Sequence, residues 1–264
     1  MYENLVGLLS NNPLLLTTLL FIIFGKHLLA VVIVSVIKVA SLRERRSVYT
    51  VPITKKQYMR ELTASWALFL DGAVFALLLS VGAYHFTTEF SWGIFLLSYI
   101  CIFLFFEFWF YITHIAMHTK WLFPIHKTHH RSRAINPLSG LQFSLSEKAI
   151  LTLGSVGFIA VLSQIFAVSL HGVLLFFFVY YANSLIGHSN IEIQPSHHTS
   201  SFFGKLFTSP TYHALHHSRM NGHYGLTITL FDRLGSSVFS DYEKIHARAA
   251  QGMGLKKLSD HLNN

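Results

Sequence analysis

The chain has 264 residues, of which 52% are hydrophobic and 12% charged, and its formal net charge is +8. Soluble domains carry about 25% charged residues, so half that share, with a mean hydropathy of +0.46, excludes an ordinary soluble domain and describes a multi-pass membrane protein. The positive balance does not call for nucleic acid, because Lys and Arg gather in loops where they set orientation and meet anionic headgroups, and the single cysteine, Cys101, excludes an internal disulfide framework.

Residues 1–12 read as a short tail with no Lys or Arg ahead of the first apolar run, so a cleavable signal peptide is not expected. Pro13 to Ala40 is long enough for one tilted span, which needs about 20 residues. Gly25, Lys26 and His27 interrupt it, and Lys26 is expected to snorkel or to mark a break between an interfacial piece and a span. Arg43, Arg45, Arg46, Lys55, Lys56 and Arg60 make a basic loop that the positive-inside rule assigns to the cytoplasm, which puts the N-terminus outside. A second span is expected over about Ala64 to Phe86 and a third over about Trp92 to Tyr111, running directly into His114.

Ala149 to Gly187 is a long apolar run with His130 before it and His188 after it. A helical hairpin returns both ends to one place; its arms are near the lower limit for a full span, so it either spans thinly or re-enters, with the bend at Ser163 to Ser169. From about Ser189 onward the chain is polar and helix-compatible. The expected fold is therefore an all-α integral membrane protein of about four transmembrane helices with a cytoplasmic helical cap. It forms a single domain over 1–264, in which 1–106 carries the N-terminal transmembrane helices.

Histidine supplies the chemistry. Residues 107–133 read EFWFYITHIAMHTKWLFPIHKTHHRSR, with His114, His118, His126, His129 and His130 close together. Helical spacing puts residues three or four apart on one face, so His114 can align with His118, and His126 with His129 and His130. The H-x-x-H-H of His126, His129 and His130 returns in TYHALHHSR as His213, His216 and His217, and His188 lies between the two copies. Imidazole suits iron, zinc or copper. Nine imidazoles exceed what one ion holds, so two metals are expected.

At these residues the chain resembles the fatty acid hydroxylase and sterol desaturase superfamily of membrane di-iron enzymes. The shared pattern is H-x3-H, H-x2-H-H, a lone downstream histidine and a second H-x2-H-H, over about residues 107–237. That family often continues with N-Y-G and W-D-R-L-F-G-T, where this chain has HYG at 223–225 and FDRLGSS at 231–237. His223 thus stands in place of Asn, and the Phe before the last Gly is missing. The resemblance implies two iron ions, replaceable by zinc in a purified sample, with O2 as co-substrate and a membrane lipid as substrate. It implies hydroxylation at an unactivated C–H bond, with desaturation or carotenoid-ring hydroxylation as alternatives.

Electrons have to come from a separate cytochrome b5, ferredoxin or reductase, since no flavin fingerprint or cysteine cluster is present. A metal-ion carrier or heme-binding membrane protein is the reading outside enzymes. A carrier would place its ligands along a path at the bilayer midplane, and a heme protein needs one or two axial histidines.

Other polar residues are open at this level. His223 is a ligand, a support for one, or neither. Glu107 lies two helical turns before His114 and either orients the metal site or makes an interhelical hydrogen bond. His197 and His198 read as a solvated loop. Asp232 and Arg233 are expected to fix the cap through a local ion pair. The aromatic run at 103–111 is expected to face lipid or pack, with a minority of rings on the substrate path.

Overall fold

The computed structural model describes residues 2–262 and is almost wholly helical. Among the described residues five helices are long and apolar enough to cross a membrane: α1 (Pro13–Val39), α2 (Lys55–Ser80), α3 (Trp92–Met117), α4 (Leu145–Ser163) and α5 (Leu170–Gly187). Two shorter helices follow, α6 (Pro210–Arg219) and α7 (Tyr242–Ala250). Both arms of the expected hairpin are thus separate membrane-length helices, of 19 and 18 residues. The second span begins earlier than hydropathy implied, through the polar turns of Lys55–Thr63 and a tighter segment at Ala64–Leu68.

The helix starts are written in the sequence. The side chains of Asn12, Thr54, Ser144, Ser169 and Ser209 each accept a hydrogen bond from a backbone N–H in the first turn of the helix they precede. Such caps satisfy donors that a helix leaves unpaired. Pro13 and Pro210 occupy first helical positions, where the missing N–H costs nothing.

Helix α5 is central and packs against α1 and α3, while α1 also packs against α2. Its buried face, including Phe176, Phe177, Tyr180 and Tyr181, meets Ile22, Phe75, Ile102 and Phe106 in the main core. Opposite faces carry exposed Leu20, Phe24, Leu28 and Val31 on α1 and Leu97, Ile100, Leu104 and Phe108 on α3, the surface that hydrocarbon would cover. In α4 the turn at Leu153–Gly157 is widened to π geometry. There the Trp109 indole donates to the Ile150 carbonyl at 2.9 Å, and a Cβ on Gly154 would lie 2.0 Å from the same ring. At the end remote from the histidines, two short strands, β1 (Phe86–Thr87) and β2 (Val168–Ser169), pair in parallel and tie the loop after α2 to the bend between α4 and α5.

Lys26 departs from expectation. The first span is one unbroken helix, and Lys26 is 2% exposed on its inner face, with no hydrogen-bond partner for Nζ. It packs inward because hydropathy along an all-round apolar helix does not tell which side meets protein.

The basic loop lies at the histidine end of the bundle. Ser47 bridges to Ile191, Tyr49 N–H donates to Asn190 Oδ1 at 3.0 Å, and Arg60 donates to Ser132 Oγ at 3.1 Å. A second core of Val48, Tyr49, Ile135, Tyr212, Leu215, Tyr242 and Ile245 joins this loop to α6 and α7, so the segment after α5 forms a helical cap over that end.

Candidate metal centre

The last turn of α3 presents His114 and His118 inward with ring centroids 5.0 Å apart. The chain then reverses through a short helix, Phe123–His126, and a single tight turn, His129–Arg131, which bring in His126, His129 and His130. His188 caps the C-terminus of α5, and α6 carries His213, His216 and His217. The start of α6 is fixed twice over. Ser209 Oγ accepts from Tyr212 N–H, and the buried Glu192 carboxylate accepts from Thr211 N–H at 3.1 Å and its hydroxyl at 2.6 Å.

These nine histidines form two groups. The ligand atoms of His114, His118, His126, His130 and His216 lie within 4.8 Å of one another, as do those of His129, His188, His213 and His217. Each H-x-x-H-H box divides in a complementary way: the outer pair, four residues apart, enters one group and the middle histidine enters the other. His126 and His130 join the five-histidine group while His129 joins the four. His213 and His217 join the four while His216 joins the five.

Six of the nine Nδ1 atoms face acceptors. Those of His114, His129, His188, His216 and His217 face the carbonyl oxygens of Tyr224 (2.7 Å), Gln142 (3.0 Å), Ser184 (2.6 Å), Gly222 (2.8 Å) and Ser132 (3.1 Å), and that of His126 faces Glu147 Oε1 at 2.7 Å. Carbonyls and carboxylates only accept, so these partners assign the proton to Nδ1 and leave Nε2 as a bare lone pair.

The Nε2 atoms then face one another: His114 to His126 at 3.1 Å, His130 to His216 at 3.1 Å, His129 to His188 at 3.2 Å and His188 to His213 at 3.1 Å. In the His114–His126 and His129–His188 contacts both rings carry their proton on Nδ1, and two lone pairs cannot bond each other. Nitrogens about 2.0–2.1 Å from a shared ion stand about 2.9–3.4 Å apart, so the donor set fits metal ions in both groups. Burial holds His118 and His129 down to about 4 and His213 to about 3, which keeps these rings neutral and able to ligate near pH 7.

Other polar residues resolve differently. His223 belongs to neither group: its Nδ1–H donates to the Tyr212 carbonyl at 2.9 Å, its Nε2 accepts from Phe239 N–H at 3.0 Å, and its ring stacks on Tyr212. It sits in the left-handed region at φ 59°, which Asn tolerates well and which accounts for Asn being usual there. The next residue, Tyr224, lends its carbonyl to His114, and a Cβ at Gly225 would lie 2.4 Å from the Ile228 carbonyl. Asp232 holds this turn by accepting from the backbone N–H groups of Tyr224 at 2.8 Å and Gly225 at 2.6 Å, while Arg233 donates to the Lys205 carbonyl. The two fix the cap through backbone groups, where an ion pair between them was expected.

Glu107 accepts from Thr227 N–H and Ile228 N–H, each at 3.0 Å, and so anchors the following loop to α3. The carboxylate that touches a cluster histidine is instead Glu147, which sequence reasoning missed; the signal was Ser144 three residues before it, a cap that fixes its place in the first turn of α4. His197 is exposed, and His198 packs near His246 at a ring distance of 6.0 Å, away from both groups. A narrow crevice lined by Phe110, Phe143, Tyr180 and Leu226 reaches His114, His126, His129, His188 and His213, so one ring of the aromatic run, Phe110, does face the site.

Membrane-length helices closing on two adjacent sets of buried imidazoles define a membrane protein able to hold metal ions through histidine alone. The chain belongs to the fatty acid hydroxylase family, whose model, described as fatty acid hydroxylase, matches residues 99–237, just over half of its length. It is 26% identical over 150 residues to Very-long-chain aldehyde decarbonylase GL1-7 of Oryza sativa subsp. japonica, covering 55% of this chain and 24% of that protein. It is 25% identical over 152 residues to Very-long-chain aldehyde decarbonylase GL1-6 of Oryza sativa subsp. indica, with the same coverage. The chain spans about a quarter of the length of these curated relatives. No solved structure matches it.

Proposed function

We propose that the chain is a membrane-bound di-iron oxidoreductase that uses O2 and electrons from a separate donor to hydroxylate a lipid at an unactivated C–H bond. The observation that carries this reading is the pairing of five-histidine and four-histidine groups whose bare Nε2 atoms converge at 3.1–3.2 Å. The metal ligands are His114, His118, His126, His130 and His216 for one ion and His129, His188, His213 and His217 for the other. Iron supplies the redox chemistry, which zinc does not.

The protein's own contributions are positional. Nδ1 partners fix six of the nine rings, Glu147 polarises His126, and the crevice walls keep water from the reacting carbon. The region from about 107 to 237 carries the chemistry and residues 1–106 the N-terminal helices of the same domain. The basic loop beside the site favours a cytoplasmic face and an acidic electron carrier such as cytochrome b5.

A second reading, removal of the carbonyl carbon from a long-chain aldehyde, is favoured by the names of the relatives it resembles. Mass spectrometry of total lipids from cells expressing the intact chain or the His216→Ala variant separates the readings. A species heavier by one oxygen marks a hydroxylase, one lighter by two hydrogens a desaturase, and a hydrocarbon one carbon shorter a decarbonylase. Intact protein that binds neither iron nor zinc, or that shows the strong Soret band of heme, overturns the proposal.

A further inference from the structure

Among the described residues the buried Lys26 amine has no hydrogen-bond partner. Its Nζ lies over the rings of Phe143 at 4.8 Å, Tyr180 at 5.4 Å and Tyr181 at 5.8 Å. Phe143 and Tyr180 are also walls of the crevice that leads to the histidines, and Phe143 stacks on His129. Glu147, in the same crevice wall, has its second oxygen, Oε2, buried and unpartnered. Aromatic faces compensate a cation only in part, and a lone amine or carboxylate oxygen inside a membrane protein is costly enough to mark function.

The neighbouring pair is already satisfied: Lys148 donates to Asp71 at 2.5 Å, and Thr152 and Tyr181 also donate to Asp71. Lys26 Nζ and Glu147 Oε2 are the donor and the acceptor left over. A ligand oxygen would accept from Lys26, and a hydroxyl would in addition donate to Glu147, whereas a carboxylate would set acceptor against acceptor.

We infer that Lys26 and Glu147 form the polar end of the substrate crevice, where Lys26 donates to the neutral oxygen, hydroxyl or carbonyl, at the end of a long-chain alcohol or aldehyde, and Glu147 accepts from the hydroxyl of the alcohol. The carbons next to that oxygen then lie against the histidines, so the reaction falls near the oxygenated end of the chain. Only the identity of the crevice as the substrate's rests on the proposed function.

The test uses the full chain as purified, with the metal it carries, in detergent micelles kept free of O2 and reductant, so binding is read without turnover. Thermal unfolding is followed with hexadecanol, hexadecanal, palmitate or hexadecane at equal mole fraction. In the intact chain hexadecanol or hexadecanal raises the midpoint well above hexadecane, and palmitate does less. Either oxygenated probe acting alone assigns the class. In Lys26→Met the midpoint without ligand is at least that of the intact chain, and affinity for the oxygenated probe falls about tenfold or more, the range of a hydrogen bond to a charged donor. Equal responses to hexadecanol, hexadecanal and hexadecane, a palmitate response above both oxygenated probes, or an unchanged response in Lys26→Met overturn the inference. So does a Lys26→Met chain that fails to fold, because Lys26 would then be a structural support.

Discussion

Glu147 offers the sharpest test of how the site is held. It is 1% exposed, and its Oε1 accepts from His126 Nδ1 at 2.7 Å. Its backbone N–H is capped by Ser144 Oγ whatever side chain it carries, so substitution leaves the start of α4 in place. In Glu147→Ala the Nδ1–H of His126 loses its acceptor and the ring its orientation. Removing such a support costs about 10–100-fold in metal affinity, equivalent to about 1.4–2.7 kcal/mol. Glu147→Gln keeps an oxygen at the same reach and recovers most of the loss. Competition with a graded chelator, read as iron or zinc per chain, measures both. The alanine variant is expected to give up the ion of the five-histidine group first, with the glutamine variant between it and the intact protein. Intact-like retention in Glu147→Ala would refute the assignment, and so would parallel loss of both ions from a chain that has unfolded.

Three further outcomes follow from the same geometry and chemistry. His223 is held down to about 3 by burial, against an opposing hydrogen bond to the Tyr212 carbonyl. The unfolded chain takes up its proton near 6.5 while the folded chain does not, so this residue costs stability as pH falls from 6.5 toward 3, at about 1.4 kcal/mol per unit. His223→Asn in metal-loaded protein is expected to remove that slope, read by unfolding at pH 5 and pH 7. Asp71→Ala strands the Lys148 ammonium and should cost about 3–5 kcal/mol in detergent unfolding, most of it recovered in Asp71→Ala combined with Lys148→Met. In His216→Ala cells the lipid product should vanish.

Much of this arrangement is legible in one sequence. The doubled H-x-x-H-H announces a histidine cluster, but helical periodicity alone groups His126 with both His129 and His130, and the division of each box between two groups appears only when the elements pack. The hairpin of α4 and α5 follows from the need to return His188 to His130. Other features depend on tertiary contacts that leave no local mark. Glu147 lies 21 residues from the histidine it supports, outside any box. The side of α1 on which Lys26 falls is hidden in a helix apolar all round. The opposite fates of Glu107, inside an apolar run, and Glu147, just ahead of one, depend on which loop folds back over which helix end, which neither residue type nor hydropathy reveals.

The division of the two boxes makes the centres unequal in how they are assembled. On the proposed ligand assignment, the five-histidine centre draws four of its ligands from residues 114–130, a stretch that is nearly contiguous, and needs only His216 from α6. The four-histidine centre takes half of its ligands, His213 and His217, from α6, and gathers the others from His129 and the end of α5. One centre is therefore almost complete before the chain beyond residue 200 has folded back, while the other has only His129 and His188. On that assignment the second ion would be the last to arrive as the chain folds and the first to leave when α6 loosens. A chain with α6 undocked would hold at most the first ion, so docking of α6 would be the step that completes the proposed two-metal site.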